Sequence, residues 1–93
     1  MNYQKIYDNI IFYRQKNVLI RDWINRPGEV ERHHIVPKCL GGLNKKSNII
    51  NVTPREHYIL HLLLGKIYEG TIHEESMKIA VTKMRSIAPR HNR

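Results

Sequence analysis

A chain of 93 residues, 41% of them apolar, can bury one modest core, so one domain spanning 1–93 is expected. A single cysteine, Cys39, excludes an internal disulfide framework. No apolar run reaches the roughly 20 residues of a membrane span, and the polar-interrupted N-terminus does not read as a signal peptide, so a cytoplasmic location is the expectation. The formal charge of +8 is spread along the chain and favours a polyanionic partner, most simply nucleic acid.

Residues 3–16 predict an amphipathic helix, because Tyr3, Ile6, Tyr7, Ile10, Ile11 and Tyr13 recur at three-and-four spacing. VLIRDWI, 18–24, reads as a short helix or a covering segment in which Trp23 packs. Arg26-Pro27-Gly28 signals a turn. Val30 to Val36 predicts a short strand closed by Pro37. Gly41-Gly42 then permits a tight loop, Leu43 to Ser47 reads as exposed loop, and Ile49 to Val52 as a second strand antiparallel to the first. Thr53-Pro54-Arg55-Glu56 spells a capping box with a proline start, opening a helix from Pro54 to about Tyr68 with Leu60, Leu63, Leu64 and Ile67 on its core face. Thr71 to Glu74 repeats the capping-box spelling before a last helix, about 72–87, with Met77, Ala80, Val81 and Met84 on one face. The tail APRHNR reads as loose. The fold class is therefore α+β.

His57 and His61 are four residues apart on the predicted helix, so both imidazoles can converge on one point, as metal ligands must. Such a pair alone is more often one surface histidine and one hydrogen-bonded edge residue. The adjacent pair His33 and His34 changes the balance. Four of the six histidines fall within 29 residues, on two elements that a strand-loop-strand-helix connection brings together. A third imidazole from the strand would complete a three-histidine shell with an open position, the mark of a catalytic rather than a structural ion. The fourth, free of the ion, can move a proton near neutral pH. Neighbours on a regular strand point to opposite faces. Either the strand bends at this pair, or the ion and the activated water lie on different sides of a bound phosphate, as in-line displacement requires.

The stretch ERHHIVPKCLGG…SNIINVTPREHYILHLL resembles the HNH nuclease motif, the ββα-metal or His-Me finger, over about residues 31–64. It is most similar to bacteriophage-encoded HNH endonucleases, including homing-type enzymes. The motif needs the histidine pair, an asparagine 14 residues after His34 and a histidine 9 residues beyond that; Asn48 and His57 satisfy both spacings, and His61 matches the extra histidine of the three-histidine branch. The resemblance implies a two-stranded hairpin plus helix at the centre, flanked here by N- and C-terminal helices. It implies His33, His57 and His61 as metal ligands and His34 as the general base. It also implies Asn48 as the amide that ties the loop ends and orients His34, and Glu31 as a supporting acidic residue. The expected activity is metal-dependent hydrolysis of DNA phosphodiester bonds, leaving a 5′ phosphate and a 3′ hydroxyl, with one divalent ion stabilising the transition state and the departing 3′ oxygen. Three neutral imidazoles suit zinc or nickel; magnesium or manganese also fits if His61 turns away. Many relatives add a structural zinc held by cysteine pairs, which this chain lacks.

DNA is the partner this implies. Arg32, Lys38, Lys45, Lys46 and Arg55 lie beside the motif, and Lys83, Arg85, Arg90 and Arg93 could form an outer arm. Any single one reads more plainly as a solvated charge; the group carries the argument, with Arg55 first because it sits among the free amides of a helix start. A homodimer would serve double-strand cutting. Two rival readings are a non-catalytic, metal-containing DNA-binding module of the same fold, and a basic helical adaptor in which the histidines are incidental. Cys39 reads as structural, and His73 and His91 as exposed.

Overall fold

The computed structural model describes residues 1–20 and 30–87, the last three as backbone alone. The expected turn at 26–28, Trp23, most of the 18–24 segment, His91, Arg90, Arg93 and the side chain of Arg85 lie outside the described residues. Helix α1 (Tyr3–Lys16) is followed by strand β1 (Glu31–His34), strand β2 (Ile49–Val52), helix α2 (Pro54–Ile67) and helix α3 (Glu74–Ile87), with single 3₁₀ turns at Lys38–Leu40 and Lys46–Asn48 between the strands. The architecture is α+β, a hairpin and one helix flanked by two more. Among the described residues no helix is long and apolar enough to cross a membrane.

The strands pair antiparallel in the register Glu31↔Val52, Arg32↔Asn51, His33↔Ile50 and His34↔Ile49. Side chains alternate across a strand. Glu31 and His33 therefore share one face with Ile50 and Val52, while Arg32 and His34 take the other. On the first face lies the core: Tyr7 and Ile11 of α1, Ile50 and Val52 of β2, Leu60 and Leu64 of α2, and Met77 of α3. His33 is buried among them, the one polar member of that set.

Each helix starts for a local reason. The Asn2 side chain accepts from the backbone N–H of Lys5 and caps α1. At α2 the capping box forms as spelled: Thr53 Oγ1 accepts from the Glu56 N–H, and Glu56 Oε1 accepts from the Thr53 N–H. Glu56 has a second task. Arg14, near the end of α1, donates to it from Nε and Nη2 at 2.7–3.0 Å, a fork-to-carboxylate pair that clamps α1 against the start of α2. Burial raises the Glu56 pKa, but the bonds from Arg14 and the Thr53 backbone outweigh it, and the net direction is down.

The second capping box does not form. Helix α3 begins at Glu74, two residues later than expected. Thr71 Oγ1 donates to the Tyr68 carbonyl instead, Glu74 accepts from the Gly70 N–H, and Ile72 stays exposed. The tail of α2 thus claims the threonine for its own open carbonyls. Strand β1 is also shorter than the apolar run Val30 to Val36, because Val36 turns away to bond Asn48. The apolar pattern of α1 overstates its core face: Tyr13 is exposed.

Candidate metal centre

β1 carries His33 inward, and the first two turns of α2 carry His57 and His61 toward it. The three ring centroids lie 4.9–5.2 Å apart, and one nitrogen from each ring falls within 4.8 Å of the others. The spacing of His57 and His61 on one helix face gives two of the three positions, and the register of β1 against the core gives the third.

Burial keeps two of the three imidazoles neutral. Burial pushes the His33 imidazole down to about 3, aided by the neighbouring His61, His57 and His34. Burial and His57 push His61 down to about 4. A neutral imidazole keeps a lone pair on one nitrogen. His33 Nδ1 and His61 Nδ1 are both buried with no hydrogen-bond partner among the described residues. A buried polar atom left unpaired costs about 1–3 kcal/mol. Two such nitrogens in one cluster of three imidazoles fit a divalent cation.

Two of the remaining ring nitrogens have partners. His57 Nδ1 donates to Glu31 Oε1 at 2.8 Å, which leaves Nε2 of a neutral His57 bare. His33 Nε2 lies 2.7 Å from the hydroxyl of Tyr7. Partners of this kind, bonded to the nitrogen that faces away from the ion, fix ring orientation and tautomer at metal sites.

His34 stands apart. β1 is regular at the pair, not bent, so His34 projects from the opposite face, where its Nε2 lies 2.6 Å from Asn44 Oδ1. An amide oxygen only accepts, so Nε2 donates and Nδ1 keeps the lone pair. Asn48 holds the loop beneath it. Its Oδ1 accepts from the Val36 N–H, its Nδ2 donates to the carbonyls of Val36 and Leu43, and its own carbonyl accepts from Ile35 N–H. Gly42 is needed in the same loop: a Cβ there would overlap the Val36 carbonyl.

Arg32, Lys38, Lys45, Lys46 and Arg55 are all exposed. Arg32 and Lys46 line a hollow of about 580 Å³ together with Arg14, Asn44 and Asn51, so the hollow adjoins His34 through Asn44. Lys38, Lys45 and Arg55 lie outside it. Cys39 is exposed, against the structural role expected, and His73 is half-buried with its ring edge-on to Tyr68 rather than free in solvent. Tyr7 and Asn44 are contributors that the residue pattern did not reveal. Tyr7 is indistinguishable from a core tyrosine by spacing, and Asn44 carries no signal in a polar loop.

A ββα core with a three-histidine cluster on its buried face and a fourth histidine on its outer face is the class of site defined here. No family model and no solved structure matches the chain. Among curated proteins it is similar to probable mobile endonucleases of Enterobacteria phage T4. Probable mobile endonuclease E is 43% identical over 68 residues, covering 73% of this chain and 44% of that protein. Probable mobile endonuclease B is 41% identical over 75 residues, covering 73% of this chain and 25% of that protein. Probable mobile endonuclease C is 32% identical over 87 residues, covering 94% of this chain and 40% of that protein. The chain thus spans less than half the length of these relatives.

Proposed function

We propose that this chain is the nuclease unit of an HNH-type endonuclease that hydrolyses DNA phosphodiester bonds. The observation that carries the reading is the split of one histidine pair across a strand. His33, buried, joins the half-buried His57 and His61 in one cluster of imidazole nitrogens, while His34 stands outside it with one nitrogen held by Asn44. A merely structural ion has no use for a second oriented imidazole beside its ligand. The similarity to proteins named as mobile endonucleases supports the same conclusion.

His33, His57 and His61 would hold one divalent cation, and three neutral imidazoles suit zinc or nickel before magnesium. When bound, the ion supplies Lewis-acid stabilisation of the charge that builds on the phosphate and the 3′ oxygen. The chain does the rest. His34 Nδ1 takes the proton of the attacking water, while Asn44 keeps the ring from turning. Asn48 holds the loop that carries Asn44 at a constant distance from β1. Glu31 orients His57. Arg32 and Lys46, lining the hollow next to Asn44, attract the DNA backbone, with Lys38, Lys45 and Arg55 adding to the field.

Supercoiled plasmid incubated with magnesium, manganese, nickel or zinc tests the reading. The native chain should cut, and His34→Ala should not, though the variant keeps the metal affinity of the native protein. Metal binding without cutting under any of the four ions would favour a non-catalytic DNA-binding module.

A further inference from the structure

We propose that Tyr7 decides which nitrogen of His33 meets the cation, and so ties the docking of α1 to metal loading. The inference rests on His33, His57 and His61 being the metal ligands.

Tyr7 is 3% exposed, and its hydroxyl has one proton to give. It gives that proton to the carbonyl of Ile35 at 2.8 Å, an atom that can only accept. The same hydroxyl lies 2.7 Å from His33 Nε2. With its proton committed, the hydroxyl must accept there, so Nε2 is the protonated nitrogen. A neutral imidazole has one N–H, and the lone pair falls to Nδ1. Nδ1 is the His33 nitrogen that is buried without a partner among the described residues.

His57 is fixed by the same logic and the opposite atom. Glu31 takes its Nδ1–H and leaves Nε2 for the ion. One ligand is thus oriented by the hairpin and the other by α1, which stands outside the ββα core. A cation that prefers this His33 tautomer favours the docked α1, and the docked α1 favours the cation by the same factor. Helix α1 is then part of the metal site rather than only a packing element.

Long-range proton–nitrogen correlation spectra of the metal-free native protein near neutral pH read the tautomer directly. His33 should show a protonated Nε2 and a bare Nδ1; the reverse pattern overturns the proposal. Tyr7→Phe keeps the buried ring and removes the acceptor. It should give mixed tautomers at His33 and weaken cobalt(II) binding about 10- to 100-fold, the usual cost of removing a group that orients a ligand. A hydroxyl with only a structural role would lower the melting temperature and leave tautomer and cobalt affinity of the folded protein unchanged, and that result also overturns the proposal. Should Tyr7→Phe fail to fold, the native spectrum decides alone. If the native protein binds no cobalt, the ligand assignment falls as well. If it binds cobalt with the wrong tautomer, only this inference falls. Neither measurement uses DNA, so a failure to cut is a separate result.

Discussion

Glu31 and His57 are joined across the hairpin–helix junction, His57 Nδ1 donating to Glu31 Oε1 at 2.8 Å. The bond aims the remaining nitrogen of His57 without taking up a ligand position. Glu31→Ala should therefore weaken cobalt or zinc binding about 10- to 100-fold, measured by direct titration of the free protein. An affinity equal to that of the native chain would show that His57 needs no orienting partner.

The buried histidines make the metal-free fold acid-sensitive. Burial first, then neighbouring imidazoles, pushes His33 to about 3 and His61 to about 4, both from 6.5. Between about 6.5 and those values the unfolded chain binds protons that the folded chain refuses. Stability thus rises with pH through this window and is lost as pH falls below 6.5. The slope approaches about 1.4 kcal/mol per pH unit for each histidine at its fullest. Urea midpoints of metal-free protein at pH 7, 6 and 5 should fall in that order. His33→Asn combined with His61→Gln should flatten the trend.

Asn48 makes three side-chain hydrogen bonds that close the loop between the strands. Asn48→Ala leaves the Val36 N–H and two carbonyls without those partners, and should cost about 1–3 kcal/mol in denaturant unfolding. Cutting should fall with it while metal affinity holds, because the Asn48 amide bonds the loop backbone and not the three clustered histidines. A drop in metal affinity equal to that of His57→Ala would place Asn48 in the wrong role.

Arg32 and Lys46 share the hollow beside Asn44. Each DNA phosphate that a protein cation ceases to neutralise should reduce the slope of log affinity against log salt by about 0.9 on duplex DNA. Arg32→Ala with Lys46→Ala should lower the slope by nearly two such steps, measured on catalytically inert His34→Ala protein.

Much of this was legible in the residues. The capping box at Thr53 and the periodicity of α1 gave helix bounds that the structure reproduces, and the i,i+4 pair His57 and His61 gave two corners of the cluster. Strand alternation left two readings of His33 and His34, a bend at the pair or a split across the strand, and the regular pairing of β1 realises the split. What stayed hidden depends on tertiary contacts. Nothing in the spacing of α1 separates Tyr7, which bonds His33, from a tyrosine that only packs. Arg14 and Glu56 are 42 residues apart, and their pairing follows from how α1 lies on α2. The spelling at Thr71 misled because a capping threonine competes with the unsatisfied carbonyls of the helix before it.

The central claim is that His33, His57 and His61 grip one cation between them. Crystals grown with zinc or manganese, measured at an energy where the metal scatters anomalously, test it most directly. The account predicts a single strong peak bonded to one nitrogen of each of the three imidazoles, at roughly 2.0–2.1 Å for zinc, with His34 outside that coordination. A peak bound by His34 in place of His33, or none among these side chains at saturating metal, would contradict it.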